Sequence, residues 1–196
     1  MEKYKEATKD FTIADQIDPS LGGANKCKSI IEYVQKTYNL IAKKAFQKPA
    51  RIQGMSKTLQ KNIIPEKIQD QTKDKKQILF DSMKYGLNEN SYLHFKVLRQ
   101  LEKEGEIPVC FIIMDEKTNC SCISIYNTNI SIKKDMEEDA DGIIINPFLN
   151  SVEAMIEEKI VSYPSIMVTN LSHLFINGVS MNIKFSKSIL THNTFT

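Results

Sequence analysis

At 196 residues, the chain is long enough for one domain, or for one domain with a helical arm, and for a sizeable hydrophobic core. Its formal net charge of +2 excludes a bulk electrostatic attraction to nucleic acid or to a membrane surface. The sequence contains no apolar run of the roughly eighteen residues that a bilayer span needs. Residues 1–6 are charged and lack an apolar stretch, so we expect no cleaved secretory signal.

The first clear element is a long amphipathic helix over residues 25–47. Asn25 suits the N-cap position, and Pro49 ends the helix shortly after Phe46. Residues 1–24, which precede it, predict an arm or short helix followed by a loop. The apolar positions recur at steps of three and four residues, as one buried helical face requires. These positions are Cys27, Ile30, Ile31, Val34, Tyr38, Ile41, Ala42 and Ala45.

Residues 48–76 are polar and basic, and they predict loop or short helical pieces on the surface. Such a segment could contact phosphates, but Glu66, Asp70 and Asp74 interrupt its positive charge. We therefore interpret it as a solvated face and predict no nucleic-acid binding. Residues 1–76 form one predicted region, made of the long helix and this basic loop.

The central stretch predicts one helix and three strands. Residues 86–98 follow a Gly/Asn-rich turn and are interpreted as a helix. Residues 108–114, 120–126 and 142–146 are short apolar runs bounded by polar residues, as buried strands are. Pro147 then ends the last strand, because proline cannot donate to the sheet ladder.

The remaining residues predict an acidic turn at 133–141, a helix at 151–160 and a strand at 166–168. A hairpin follows at residues 174–183, because Asn177-Gly178 favours the turn that needs positive φ at both positions. The tail from residue 186 is predicted to fray. Residues 77–196 thus predict an α+β core with a C-terminal hairpin. The fold class is α+β, with a helical N-terminal half packed on a mostly antiparallel sheet.

The four cysteines, Cys27, Cys110, Cys120 and Cys122, predict free thiols in an otherwise cytosolic type of chain. A zinc site would need two further ligands near Cys120 and Cys122, and no His or Cys stands at a recognised spacing. The sequence has no glycine-rich phosphate loop and no metalloprotease motif. We expect neither a metal nor a cofactor.

One thiol has a position that suits a nucleophile. Cys27 lies near the start of the predicted helix, where the helix dipole lowers the pKa of a thiol. His173 and His94 are the bases that could act with it. The alternative interpretation, which we favour, places Cys27 on the apolar face of the helix as a small hydrophobic residue.

The helix and strands of residues 85–151 resemble the papain-like or transglutaminase-like cysteine enzymes found among bacterial secreted effectors. Phe95, Val97 and Leu98 match the helix of that family, and residues 143–147 match its terminal strand. The three chemical positions differ, since Leu87 stands in the nucleophile slot, Cys120 in the histidine slot and Asn146 in the aspartate slot. The resemblance therefore implies a scaffold that has lost its catalytic triad.

Two functions follow from these patterns. The first is a non-catalytic scaffold that binds another protein, and the resemblance implies a bacterial effector or effector regulator. Its location would then be the bacterial cytoplasm or, after secretion without a signal peptide, the host cytosol. The alternative is a cysteine hydrolase or acyl-transferase of the protease, deamidase or transglutaminase type, which uses Cys27 with His173 or His94.

Overall fold

The structure is a computed structural model, and it describes residues 10, 12–13, 16–18, 23–61, 63–101, 108–126, 128, 132–156 and 159–182. Within these ranges the protein is α+β, as the sequence predicts, with three helices before residue 73 and, after it, a ten-stranded mixed sheet interrupted by one short helix. The predicted arm over residues 1–24 and the tail from residue 186 lie largely or wholly outside them.

The helices are α1, Gly23–Ala42; α2, Pro49–Gln60; α3, Glu66–Thr72; and the single turn α4, Ile132–Asp135. None of the helices in the described ranges is long and apolar enough to cross a membrane. The helix predicted over 25–47 ends early, because Lys44, Ala45 and Phe46 adopt φ values of 48°, 54° and 59°. This left-handed turn redirects the chain, and Pro49 then opens α2 at a position that tolerates its missing N–H.

The segment predicted as loop or short helical pieces, residues 48–76, contains both α2 and α3. Ile52, Met55 and Leu59 are buried at spacings of three and four residues, so α2 has a buried apolar face despite its polar composition. In α3, Ile68 is the buried apolar residue. The segment therefore covers the sheet, and its basic residues lie on the outside of that cover.

Three of the strands are long and the others are short. They are β1, Lys76–Gln77; β2, Gly86–Leu87; β3, Ser91–Leu101; β4, Val109–Met114; β5, Cys120–Ile125; β6, Asp141–Ile145; β7, Phe148–Ile156; β8, Lys159–Val168; β9, Leu174–Ile176; and β10, Val179–Ser180. Among the described strands, β1–β3 and β5–β8 pair in parallel and the other pairs are antiparallel. The sheet is therefore mostly antiparallel, as predicted.

The central strands close into a barrel. Strand β3 pairs with β4 and with β6, β4 pairs with β5, β5 pairs with β8, and β8 pairs with β7. Because β6 and β7 are separated only by Asn146 and Pro147, they act as one bent strand that completes the circuit. Asn146 adopts a φ of 49° at this corner, which lets the chain change partners from β3 to β8.

The interior of the barrel is apolar and receives alternate residues of each strand. Leu93, Phe95 and Val97 of β3 point inward, and Ile132 and Met136 from the α4 segment join the same cluster. Phe95 lies opposite Gly142 of β6, and its ring occupies the space where a side chain at 142 would stand. Glycine at 142 is therefore required by the close approach of this ring.

Two helical layers cover the outside of the barrel. Helices α1 and α2 pack on the outer residues of β4, β5 and β8, among them Ile112, Cys122 and Tyr163. Helix α3 packs through Ile68 on a separate outer patch formed by β3, β6 and β9. The helical N-terminal segment thus covers two different faces of one barrel.

Two predicted helices are wrong. Residues 86–98 form β2 and most of β3. Residues Ser91–Leu98 are all buried, because one side of the strand faces the barrel interior and the other side is covered by helices, including α3. A strand buried on both sides shows a nearly continuous apolar run, which a helix can also show. Residues 151–156 belong to β7 and residues 159–160 to β8, and the register of these strands pairs Val152 with Tyr163 and Ala154 with Val161.

Other local predictions are confirmed. The three central strands are β4, β5 and β6, with bounds within two residues of those predicted. The β9–β10 hairpin turns at Asn177 and Gly178, whose φ values are 49° and 78°. Ser180 ends β10 in the structure, so the second strand of the hairpin is shorter than predicted, and Ile183 lies outside the described residues.

Candidate functional site

A cavity of about 180 Å³ opens on the outer face of β3, β6 and β9, beside α3. Two of its residues are ionisable, His94 and Asp141, and they meet on adjacent strands. The other lining residues are mainly apolar. They are Ile63, Pro65, Ile68, Ile143, Phe175, Asn177 and Gly178.

Strand alternation places the two ionisable residues. Phe95 points into the barrel, so its neighbours His94 and Lys96 point outward. The antiparallel register sets Lys96 opposite Asp141 and His94 opposite Ile143. Asn177 fixes the other end of the site, because its side chain accepts a hydrogen bond from the Asp141 amide and its own amide donates to the Asp141 carbonyl.

His94, Asp141 and Lys96 form a hydrogen-bonded chain. The Nε2–H of His94 donates to Asp141 Oδ1 at 2.9 Å, since a carboxylate can only accept there. Lys96 Nζ lies 2.9 Å from Asp141 Oδ2, and it also donates to the Asp139 carbonyl at 3.0 Å. Both donors are almost fully buried, whereas the Asp141 side chain is 39% exposed.

Nδ1 of His94 is the unused atom of this site. It is buried and has no hydrogen-bond partner within the described residues. In a neutral ring, Nε2 carries the proton that Asp141 accepts and Nδ1 presents a lone pair. Buried polar atoms in native proteins are nearly always paired, so this orphan atom marks the site as unusual.

The carboxyl group of Asp141 titrates below its ordinary range. Burial opposes its ionisation, but the hydrogen bonds from His94 and Lys96 and the positive charge of Lys96 outweigh burial and lower the pKa of Asp141 from 3.8. The ionised carboxylate therefore persists to more acidic pH in the folded chain than in the unfolded one.

This shift predicts a specific loss of stability in acid. A carboxyl whose pKa is lowered on folding stabilises the folded state above its unfolded value of 3.8, and that contribution disappears as the pH falls through the folded pKa. We expect the free energy of unfolding of the wild type to fall more steeply than that of Asp141→Asn between about pH 5 and pH 2. Denaturant titrations at a series of pH values measure both slopes, and parallel curves would contradict the prediction.

The three slots inferred from the papain-like resemblance contain no catalytic group. Leu87 lies in β2 with its side chain largely exposed, and Asn146 forms the corner between β6 and β7. Cys120 begins β5 in the β4–β5 hairpin and is half-buried against the α1–α2 layer. These residues shape a strand edge, a barrel corner and a hairpin, and none supplies an imidazole or a carboxylate.

The alternative set of Cys27, His173 and His94 is only partly described. Cys27 lies in the first turns of α1, but its side chain is outside the described residues. His173 is half-buried in the turn before β9, while His94 is bound to Asp141 in β3. A pairing of Cys27 with either histidine stays a prediction.

The thiols of β5 are held in their neutral form. Burial raises the pKa of Cys120 to about 12, which nearby Asp115 reinforces and Lys44 opposes. A hydrogen bond with Cys110 and burial raise the pKa of Cys122 well above its ordinary value. Cys110, Cys120 and Cys122 are free thiols, as predicted, and within the described residues no cluster of His, Cys, Asp and Glu could hold a metal.

We therefore expect slow alkylation of Cys120 and Cys122 in the native protein. At neutral pH their thiolate fractions are far below that of an unperturbed thiol, whose pKa is about 8.5. Treatment with iodoacetamide followed by mass spectrometry resolves each cysteine, and the denatured chain provides the fast control. Rapid native modification of Cys120 near neutral pH would contradict this assignment.

The sequence of residues 74–189 matches the family described as the Tetratricopeptide repeat protein 5 OB fold domain. This match spans more than half of the chain. The chain belongs to this family. The finding overturns the papain-like and transglutaminase-like resemblance, because the OB barrel accounts for the same strands. The slots of the inferred degenerate triad depended on that resemblance and lose its support.

A comparison with solved structures finds the OB domain of a protein from Methanosarcina mazei, determined by NMR in solution. It is 10% identical in sequence, with a TM-score of 0.36, and the match covers 55% of this chain and 89% of the archaeal domain. No curated protein matches the chain.

Sequence reasoning missed the His94–Asp141 site. The two residues are 47 positions apart, and only the strand register brings them together. One signal was present, namely that His94 and Lys96 interrupt an otherwise apolar run at a spacing of two residues. Polar residues at alternate positions in a buried strand indicate a polar pair or a site on one face.

Proposed function

We propose that this chain is a non-catalytic OB-type domain that binds another protein at the cavity beside His94 and Asp141. The observation that carries the proposal is the combination of an unpaired buried nitrogen with an exposed apolar rim. Ile63, which lines the cavity, is 72% exposed, and Val179, next to the lining residue Gly178, is 40% exposed. Apolar side chains exposed around a concave site are typical of protein-binding surfaces.

The helices α1 and α2, which cover one outer face of the barrel, favour a protein partner over nucleic acid. OB barrels bind oligonucleotides on the outer face of their second and third strands. In this chain those strands are β4 and β5, and α1 and α2 pack on that face. Its outward residues include Cys110, Ile112 and Cys122, and the described part of β4 and β5 offers no outward aromatic ring for base stacking.

The environments of Cys120 and Cys122 favour binding over catalysis at these two thiols. A cysteine hydrolase needs a thiolate and an imidazole that stabilises it. Burial and hydrogen bonds keep Cys120 and Cys122 neutral. The effector role and the cellular location were inferred from the papain-like resemblance, and they lose that support.

Site-specific photo-crosslinking tests the proposed binding surface. A photoreactive residue at Ile63 should form a discrete adduct with a protein in lysate of the source organism, and the Ile63→Asp surface change should abolish adducts from position 179. The matched control is Lys36, which is exposed on α1 and does not line the cavity. Equal crosslinking from position 36 would contradict the assignment of the surface.

Oligonucleotide binding tests the alternative, in which the partner is a nucleic acid. We expect labelled single-stranded DNA and RNA to show no change in fluorescence anisotropy with the wild-type chain at physiological salt. If an oligonucleotide binds under these conditions and higher salt abolishes the binding, the chain has a surface that contacts phosphates. That result would overturn the choice of a protein partner.

A further inference from the structure

The outer side of residues 48–76, the segment that contains α2 and α3, carries a positive charge that the rest of the chain does not share. The segment has eight lysine and arginine residues and three acidic residues, so its formal charge is +5. Because the whole chain has a charge of +2, all other residues together have −3. The buried sides of α2 and α3 are apolar, which leaves this excess charge on the solvent side. A surface of this kind attracts acidic ligands.

Three lysines of the segment are exposed and form no ion pair within the described residues. Lys57 and Lys61 are one helical turn apart and lie on the same side of α2. Lys67 follows in the first turn of α3. The ion pairs of this segment among the described residues involve Arg51 and Lys73 instead. The three ammonium groups are therefore available to a partner.

An apolar residue stands among these lysines. Ile63 lies two residues after Lys61 and four before Lys67, and it is 72% exposed. It also lines the cavity of about 180 Å³ described above. A concave site beside an exposed apolar residue accepts a projecting side chain, as the anchor residues of protein interfaces do.

The walls of the cavity determine which side chain can enter. Ile68, Ile143 and Phe175 make them mainly apolar. Asp141, whose side chain is 39% exposed, lines the same cavity and would repel an acidic side chain placed beside it. The ligand that fits therefore has an uncharged apolar residue for the cavity and acidic residues on both sides of it, which reach the lysines outside.

Nucleic acid fits this surface less well than a polypeptide does. A lysine ammonium group pairs with a carboxylate or with a phosphate, so the charge alone does not separate the two. Residues 48–76 contain no aromatic residue on which a base could stack, and an exposed isoleucine offers nothing to a phosphate backbone. These two features favour a polypeptide.

We propose that the outer surface of α2 and α3 docks an acidic segment of a partner protein. Carboxylates of that segment pair with Lys57, Lys61 and Lys67, and an apolar residue between them packs against Ile63 at the cavity. The inference rests on the proposed function and specifies the kind of partner.

Two peptides of equal length test the pairing. The acidic probe is Glu-Asp-Asp-Leu-Asp-Asp-Glu with blocked ends, and the matched neutral probe is Gln-Asn-Asn-Leu-Asn-Asn-Gln. Chemical-shift titration of the ¹⁵N-labelled protein measures both affinities, and the amides of Lys61 and Ile63 locate the binding. We expect the acidic peptide to bind at least about fivefold more tightly, and to lose affinity between about 0.05 M and about 0.5 M salt.

Charge reversal identifies the lysines that are used. The double variant Lys57→Glu, Lys61→Glu should bind the acidic peptide at least about fivefold more weakly, because attraction becomes repulsion at two positions. The control is Lys36→Glu, Lys84→Glu, which changes the net charge equally at exposed lysines that do not line the cavity. This control should bind like the wild type. Equal affinity of the two peptides, or an equal loss in the control, would overturn the inference.

Other occupants of the surface give different results. A labelled oligouridylate that binds more tightly than the acidic peptide at the same salt would assign the surface to RNA. A concentration-dependent dimer in sedimentation that disappears in Lys57→Glu, Lys61→Glu would assign it to a second copy of the chain. Either result would overturn the choice of an acidic partner segment.

Photo-crosslinking from position 63 separates this inference from the proposed function. We expect the adduct to weaken when Lys57→Glu and Lys61→Glu are added to the photoreactive chain. If the adduct persists unchanged, the proposed function stands and only this inference fails. If the wild-type background gives no adduct and the acidic peptide shifts no amide at millimolar concentration, both fail.

Discussion

Replacing Gly142 with alanine is expected to lower the free energy of unfolding by at least about 2 kcal/mol. A Cβ at this position would lie 2.0 to 2.5 Å from ring carbons of Phe95, which is far inside van der Waals contact. Phe95 is fully buried in the barrel interior, so its ring has no solvent-exposed position to which it could move. Chemical denaturation of the variant and the wild type measures the difference.

The chain offers a matched control for this substitution. Gly54 lies on the exposed side of α2, and a Cβ there would meet nothing within 4 Å. Gly54→Ala should therefore raise the free energy of unfolding by about 0.5–1 kcal/mol, since alanine favours helix. The double variant Phe95→Leu, Gly142→Ala should recover part of the loss relative to the sum of its single changes. Strict additivity would show that the ring is not the cause.

Replacing Asp115 with alanine is expected to destabilise the fold by about 3 kcal/mol or more, because buried donors would lose a charged acceptor. Asp115 is fully buried at the end of β4. Its Oδ1 accepts from the Lys117 and Asn119 amides at 3.0 and 2.9 Å, and its Oδ2 accepts from the Phe80 amide at 3.1 Å and from Asn119 Nδ2 at 3.2 Å.

These bonds hold the β4–β5 turn and tie the segment around Phe80 to it, so both elements should loosen together. Asp70→Ala is the control, because the Asp70 side chain is 93% exposed and forms an ion pair with exposed Lys73. Its effect should lie within about 0.5 kcal/mol. Urea denaturation measures both variants, and amide hydrogen exchange at Lys117 and Asn119 reports the turn itself. A loss below about 1 kcal/mol for Asp115→Ala would contradict the structural role.

Local chemistry decided which parts of the fold could be predicted from sequence. The Asn177-Gly178 turn could be predicted because only a few residue types accept positive φ at both positions. Strands β4, β5 and β6 could be predicted because each is short, apolar and bounded by polar residues. In these segments the residues themselves specify the conformation.

The errors arose where partners distant in sequence decide the structure. Strand β3 was predicted as helix because burial on both sides removes the alternation that identifies a strand. Residues 151–160, in β7 and the start of β8, were predicted as helix because Val152, Met155, Ile156 and Ile160 also fit helical spacing. The His94–Asp141 pair was missed for a related reason, since no local pattern reveals the register that sets Lys96 opposite Asp141.

The short strands at the ends of the sheet affect how the protein behaves at high concentration. Within the described residues, the path of paired strands ends in β2 on one side and in β10 on the other, and each has only two residues. A strand edge this short gives another chain few backbone groups with which to pair. The long strand β7 differs, because β2 pairs with it at Phe148 and Leu149, while its residues 150–156 pair with β8 on one side. The two ends of the path should therefore resist edge-to-edge association, whereas the outer edge of the β7–β8 hairpin is where such association should begin.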